Sequence, residues 1–450
     1  MTELSNTELV AQPTDSERTM LWSASGAVSE RVLLERAARL AAHLPARRHI
    51  INLCEEREPF LLAFIAALMR SQTTLLPATR AVQAIADVEA LHDDSYRCDD
   101  ARVRAALAGL SGSTTVAAGF SLTAIDPHFS AAIGFTSGST GAPQAHRKRW
   151  RMFVNSARAN AAAMRAACST LRPGRSPTIV ATVPSQHMYG MELAVMLPLL
   201  AGMAIYHAKP LFAAEIGAAL AAVPEPRVLV STPIHLRVLL ESDLPLPSLA
   251  LIVSATAPLA DKLAEQLEQR LGAPLLEMFG ATETMVIAAR QTARERAWRL
   301  YPNVTLTPTA DLTEVDAPWL EHPQHLQDLI DLQDDGCFTL RGRSADSIEI
   351  GGKRGSLSEL THRLLAIEGV EDAVVVQPGD ERTQIRRVAA LIVAPSLTRQ
   401  AILTALARSI DPVFLPRPLY LVEQLPRNAV GKLPRAAVLD ALQAAARTQR

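Results

Sequence analysis

Ala131-Ala132-Ile133-Gly134-Phe135, continued by Thr136-Ser137-Gly138-Ser139-Thr140-Gly141-Ala142-Pro143-Gln144, is the stretch from which the rest of the chain can be read. Its first five residues are apolar and run into a glycine- and hydroxyl-rich segment, which predicts a buried strand ending in a loop. In that loop Thr136, Ser139 and Thr140 alternate with Gly138 and Gly141, residues free to adopt positive φ and so to turn backbone N–H groups toward an anion. Such a loop can cradle a polyphosphate. By composition alone it is equally a linker or tight turn, and it lacks the Gly-Lys-Ser/Thr ending of a Walker A loop.

Outward from this loop the chain alternates helix and strand. Arg31–Leu44 places Leu33, Ala37, Leu40 and Leu44 at helical spacing, and His49–Leu53 reads as a strand. Pro59 suits the first turn of a helix whose body, Leu61, Leu62, Ile65, Leu68 and Met69, is almost wholly apolar, and Thr73–Pro77 is the next strand. The order predicts an α/β fold with parallel sheets. Beyond the loop, helix Phe153–Cys168 and strand Thr178–Val183 are followed by strands Arg227–Ser231, Leu249–Ser254 and Leu275–Met278, with helices Pro233–Leu240 and Leu259–Leu271 between them. Three of these strands run out into polar segments: Pro184–Gly190, Ser254–Pro258 and Phe279–Thr284. Open α/β sheets bind ligands at such carboxyl ends.

At 450 residues the chain should build two or three cores, and 48% hydrophobic content is enough to fill them. Forty-five basic against 46 acidic residues give no electrostatic reason to expect nucleic acid or an anionic membrane as partner. The cysteines Cys54, Cys98, Cys168 and Cys337 show no CxxC spacing, which argues for reduced thiols over a zinc site or disulfide framework. The N-terminus has no basic and apolar leader pattern, and the longest apolar runs fall short of a membrane span or are broken by Pro198 and Gly202. A cytoplasmic protein is the expectation.

The loop resembles the signature of the adenylate-forming superfamily: acyl-CoA synthetases, aryl-acid ligases, luciferases and peptide-synthetase adenylation domains. That family writes Thr-Ser-Gly-Ser/Thr-Thr-Gly-x-Pro-Lys. Every position from Thr136 to Pro143 fits, and Gln144 stands in place of the Lys. The resemblance extends over roughly residues 20 to 440. It implies a large N-terminal domain, residues 1–342, of parallel α/β sheets with a small β-rich subdomain, and a small mobile α+β C-terminal domain, residues 343–450.

It also assigns roles, residue by residue. Thr136, Ser137, Gly138, Ser139, Thr140 and Gly141 would embrace the β- and γ-phosphates of ATP. Phe279-Gly280-Ala281-Thr282-Glu283 is similar to the family's Tyr-Gly-x-Thr-Glu, in which Thr contacts the α-phosphate and Glu holds Mg²⁺. Ser254, Thr256, Ala257 and Pro258 lie where the family flanks the adenine ring, with Ser254, Gly280 and Ala281 also bordering the acid. Pro184-x-x-His187-x-x-Gly190 matches a segment whose aromatic or histidine side chain borders the acyl pocket, although a lone histidine is more often structural. Asp328 aligns with the ribose-binding Asp of Thr-Gly-Asp by its spacing to the Asp334-Asp335-Gly336 turn, with Leu326 and Gln327 before it instead of Thr and Gly.

Gly342–Gly352 resembles the hinge between the two domains. Arg343 would reach ribose or phosphate, while Ala345 and Glu349 depart from the usual charged residue and Lys. Leu425-Pro426, Gly431-Lys432-Leu433 and Arg435 match the closing motif, whose Lys swings over the site during adenylation, although an isolated lysine would be an ordinary surface charge.

The activity implied is an ATP- and Mg²⁺-dependent carboxylic acid ligase that makes an acyl-adenylate and then a thioester on an acyl carrier protein or coenzyme A. The short length and the Pro-Gln with a following Arg-Trp resemble aryl-acid ligases of bacterial aryl polyene and xanthomonadin pigment pathways. A fatty acyl ligase and a non-catalytic nucleotide binder are the alternatives, the latter favoured by Gln144 and Ala345 and opposed by Glu283 and Lys432. Arg147, Lys148 and Arg149, read as following within one turn, are candidates to replace the missing Lys. Arg382, Arg386 and Arg387 are candidates to meet the acceptor or form a solvated hairpin.

Overall fold

The quoted stretch folds as one arm of an antiparallel pair. A computed structural model describes residues 16–108, 120–137, 143–171, 176–310, 312–343, 347–350, 353–378, 387–428 and 431–448. Gly138, Ser139, Thr140, Gly141, Ala345, Arg382 and Arg386 lie outside the described residues.

A five-stranded sheet is built from β1 (His49–Asn52), β2 (Thr73–Leu76), β3 (Ser95–Cys98), β4 (Ser130–Ser137) and β5 (Pro143–Arg149), in the order β3-β1-β2-β4-β5. Its first four strands are parallel, and β5 returns antiparallel to β4 with Thr136 opposite Gln144. Helix α1 (Arg57–Met69) is buried at Arg57 and from Pro59 through Leu68, as its continuous apolar run requires. Helix α2 (Trp150–Ala167) follows β5 directly.

The second sheet has eleven strands. Its centre is the parallel run β6 (Thr178–Ala181), β7 (Arg227–Ser231), β8 (Leu251–Ser254) and β9 (Leu275–Ala281), the first three with β-branched cores. Helix α3 (Pro233–Glu241) follows β7, with Pro233 in its first turn. On one side the sheet continues antiparallel through β10 (Met285–Arg290), Trp298–Leu300, β12 (Cys337–Arg343) and β11 (Asp328–Leu332). On the other it ends in the hairpin Thr19–Ser29, which periodicity in the sequence does not announce. Thr305–Pro308, Thr313–Asp316 and Gln324–Leu326 form a separate three-stranded antiparallel sheet.

From Ser347 the chain builds its own sheets and cores. A hairpin pairs Ser347–Ile350 with Lys353–Ser356, and helix α4 (Leu357–Leu365) is capped by the Ser356 hydroxyl, which accepts from the Glu359 N–H. Strands Asp372–Val376, Ala389–Val393 and Leu419–Leu421 form a three-stranded sheet, with apolar clusters on both of its faces.

Two sequence expectations are corrected. Pro143–Arg149 is a strand, so Arg147 and Lys148 point to opposite faces instead of lying together within a turn. Phe279–Ala281 likewise stays in β9, with a bulge between Phe279 and Gly280, and the turn begins only at Thr282. Among the described residues no helix is long and apolar enough to cross a membrane.

Candidate active site

The β9–β10 turn carries Thr282 and Glu283 up against the end of β4. A Cβ built on Gly134 of β4 would lie 3.4 Å from Thr282 Cγ2 and 3.2 Å from Met188 Cε, so a bare backbone at that position is what lets the two sheets meet here. His146 of β5 spans the gap. Its Nε2 is 2.9 Å from Thr136 Oγ1 and 3.5 Å from Glu283 Oε1. Burial is the main influence lowering the His146 pKa, so the ring is neutral at neutral pH. Thr136 and Glu283 therefore face one small space. Glu283 is 29% exposed at its side chain. A hard divalent cation fits this carboxylate. Among the described residues no group of three or more His, Cys, Asp or Glu is placed to hold a metal, so such an ion would bring phosphate and water oxygens as its remaining ligands.

Three buried side chains clamp the turn from behind. Lys148 Nζ donates to the Glu283 carbonyl at 3.0 Å, Trp319 Nε1 donates to the Thr284 carbonyl at 2.9 Å, and Glu192 accepts from the Val286 N–H at 3.1 Å. Glu192 also accepts from Ser156 Oγ and from Asn160 Nδ2 of α2. Burial pushes the Lys148 ammonium down to about 8 and the Glu192 carboxyl up, while their mutual attraction opposes both shifts. Gly280 lies so near β10 that a Cβ there would stand 2.1 Å from the Met285 carbonyl oxygen, and Met285 itself has φ 64°. A cavity of about 170 Å³ adjoins the turn, lined among others by His146, Lys148, Glu283, Glu321 and His322.

The loop after β6 carries His187. Arg57, only 1% exposed, holds that loop by donating to the carbonyls of Ala181 and Val183 at 2.9 and 3.2 Å and to Ser185 Oγ at 3.2 Å. Burial, then the cationic charges of Lys432, Arg80 and Lys209, drive His187 down to about 4, so it is neutral in ordinary buffers. That Lys432 acts on His187 means the C-terminal loop reaches this corner of the large sheet. Gly431 sits there too, against Ile234 and Thr232 at the start of α3. Arg427 fixes the loop by a fork onto Asp372, with bonds of 2.8 and 2.7 Å, and by a third bond of 2.6 Å to the Gly431 carbonyl. The Asn428 side chain accepts from the Lys432 N–H at 2.9 Å.

Asp328 and Arg343 are direct cross-strand partners in β11 and β12. Ser254 is fully buried at the end of β8, Thr256 takes the unusual φ of 80°, and Leu259 N–H is held by Glu277 at 3.1 Å, shaping the Thr256-Ala257-Pro258 turn. Phe279 packs against Trp298 and Phe338. Thr136, Thr282, Glu283, His187 and Lys432 are thus drawn toward the carboxyl ends of β4, β6 and β9, whereas Arg147 is exposed on the outer face of β5. Sequence reasoning missed His146, Glu192, Arg427 and Asn428. The available signals were the every-second-residue run Gln144, His146, Lys148 and a lone carboxylate, Glu192, inside the apolar Met188–Leu200.

Comparison with known proteins gives a consistent result. The model of the family described as "AMP-binding enzyme" matches residues 62–317. A 4-coumarate–CoA ligase of Halorhodospira halophila is 31% identical over 315 residues, covering 68% of this chain and 75% of the relative. A 3-hydroxybenzoate–CoA/4-hydroxybenzoate–CoA ligase of Thauera aromatica is 27% identical over 276 residues, 51% of this chain and 52% of the relative. Among solved structures, the anthranilate CoA ligase AuaEII with anthranoyl-AMP superposes with TM-score 0.79 at 15% identity, covering 99% of this chain and 98% of that one. The o-succinylbenzoate CoA synthetase of Bacillus subtilis with its acyl-adenylate also gives 0.79, at 17% identity, covering 97% and 98%. At these identities the superpositions speak to fold alone.

Proposed function

This chain belongs to the AMP-binding enzyme family and is an AMP-forming acid–thiol ligase, and from that premise we propose that it activates an aromatic carboxylic acid, of the hydroxybenzoic or cinnamic type, and passes it to coenzyme A. What supports the reading is the meeting of Thr136, the Thr282–Glu283 turn and the Lys432 loop at the strand ends. The aromatic substrate and the coenzyme A acceptor rest on the two relatives named above.

In the first step a carboxylate oxygen attacks the α-phosphorus of ATP, the bond to the β-phosphate oxygen breaks, and pyrophosphate leaves with that electron pair. In this reading Thr136 and residues 137–141 hold the outer phosphates through backbone N–H and hydroxyl groups, and Thr282 orients the α-phosphate. Glu283 would hold Mg²⁺, which when bound supplies charge neutralisation along the phosphates. Lys432 stabilises the negative charge that accumulates as the α-phosphate is attacked. Asp328 and Arg343 would grip the ribose, Thr256, Ala257, Pro258 and Phe279 flank the adenine, and His187, Ser254, Gly280 and Ala281 border the acid. In the second step a thiol sulfur attacks the acyl carbon, the C–O bond to AMP breaks, and the thiol proton is lost to solvent.

We assign residues 1–342 to the domain that binds both substrates and residues 343–450 to the one that brings Lys432. The cytoplasm suits the reaction, since it supplies ATP and keeps Cys54, Cys98, Cys168 and Cys337, all free and buried, as thiols.

The test is carboxylate-dependent ATP–pyrophosphate exchange with benzoic, hydroxybenzoic, cinnamic and fatty acids, followed by single turnovers with coenzyme A or a phosphopantetheinyl carrier protein. Aryl acids should support exchange and coenzyme A should discharge the adenylate. Lys432→Met should lower exchange by about 10²–10³-fold without altering the melt, because its side chain is exposed. Absence of exchange with every acid would sink the proposal, and discharge by the carrier protein alone would move the acceptor.

A further inference from the structure

Gln144 leaves the phosphate loop without the cation that this family places there, yet β5 carries Lys148 on the same face as Gln144 and His146, since side chains two and four residues apart share a side of a strand. Lys148 is 1% exposed, and its Nζ is bonded to the carbonyl of Glu283. Glu192, 2% exposed, holds the Val286 N–H on the far side of the same turn. The two charges lie within electrostatic reach of each other and bracket the four residues Glu283–Val286 between them.

Burying an ion pair is costly, and a well-packed apolar pair of similar volume commonly serves stability as well or better. A structural account therefore gives little reason to place charges in this core. The bonds they make are specific: Lys148 ends on the backbone carbonyl of Glu283, and Glu192, itself held by Ser156 and Asn160 of α2, ends on the backbone N–H of Val286 where the turn closes.

We propose that Lys148 and Glu192 are positioning residues for the adenylation step, gripping the β9–β10 turn from both sides so that the Glu283 carboxylate and Thr282 are fixed toward the phosphates. Of the other basic candidates, Arg147 is exposed on the opposite face and Arg149 is paired with Glu321, and neither takes part. Glu192 also lies on the helical segment that follows His187 and Tyr189, Met191–Met196, so the pair ties the acyl-pocket loop to the turn that holds the metal. Lys148 thereby answers the loss of the loop lysine indirectly, by holding the carboxylate in place, and not by touching the nucleotide.

The inference rests on the adenylating activity proposed above, and the experiment separates the two. Wild type, Lys148→Met, Glu192→Gln and the double variant K148M/E192Q are compared in acid-dependent exchange, with Mg·ATP and acid titrated separately and thermal melts run alongside. Glutamine keeps an acceptor for Val286 N–H while removing the charge. The expectation for Lys148→Met is a fall in kcat of about ten- to a hundredfold and a rise of about tenfold in the KM for Mg·ATP, with the KM for the acid within about twofold of wild type. The double variant, free of an unpaired buried charge, should recover the melting temperature of wild type but not its kcat. Should Lys148→Met be unstable, the double variant alone decides the matter. Wild-type kcat and KM for Mg·ATP in the double variant, or in a folded Lys148→Met, would overturn the inference. Failure of wild type to exchange with any acid would instead overturn the activity.

Discussion

His187 illustrates what a single side chain contributes once its surroundings are known. Burial, and then the nearby positive charge of Lys432, Arg80 and Lys209, hold its folded value at about 4, below the roughly 6.5 of an exposed imidazole in the unfolded chain. The unfolded state therefore takes up a proton that the folded state refuses. Stability from this group is fully present above about pH 6.5 and is lost as the pH falls from there toward 4. Wild type should thus lose more thermal stability between pH 7 and pH 4.5 than His187→Gln, whose amide does not titrate. Equal losses in the two proteins would contradict the buried, neutral imidazole. Glu283 and Lys432 stood out in the sequence because their neighbours form patterns. Arg427 escaped notice because a charge whose carboxylate partner, Asp372, lies far back in the chain leaves no periodic trace.

At the scale of elements, the strands and helices with one long apolar period were readable, and the short structures between them were not. Arg227–Ser231 occupies the residues expected, since a β-branched run bounded by polar residues admits little else. The strand Pro143–Arg149 escaped notice because, of its seven residues, only Pro143 and Ala145 are uncharged and apolar; what makes it a strand is the ladder offered by Ser130–Ser137. The β9–β10 hairpin shows the same override. Gly280 allows the two backbones to close on each other at the bulge, and a methyl group there would meet the Met285 carbonyl oxygen, an atom that cannot swing aside. Gly280→Ala should cost about 1–3 kcal/mol in denaturant melts and depress exchange at least as strongly as it destabilises, because the turn it distorts carries Glu283. A variant as stable and active as wild type would show that the hairpin is looser than described.

For the whole molecule, the order of elements was readable from the alternation of helix and strand, and a separate C-terminal unit from the resemblance of Gly342–Gly352 to a hinge. How the units face each other was not, since the contacts between them join residues far apart along the chain. One is the exposed ion pair Lys262–Glu368 at 3.7 Å, joining the helix after β8 to the segment after α4. Cysteines placed at these two positions can be joined by a short bismaleimide, and the native thiols, all buried, should not compete. The joined protein should still exchange pyrophosphate but fail to deliver the acyl group to the thiol, whereas reagent added to either single variant should leave both half-reactions intact. Unimpaired thioester formation in the joined protein would show that no domain rotation is needed.

The fork of Arg427 onto Asp372 gives such a rotation its meaning. Lys432 is anchored to the sheet of its own unit, so turning that unit withdraws the ammonium in one stroke, without any loop having to unfold. The incoming sulfur would then approach the mixed anhydride in a chamber from which the charge that helped make it has been removed, and neither half of the cycle need compromise its electrostatics for the other.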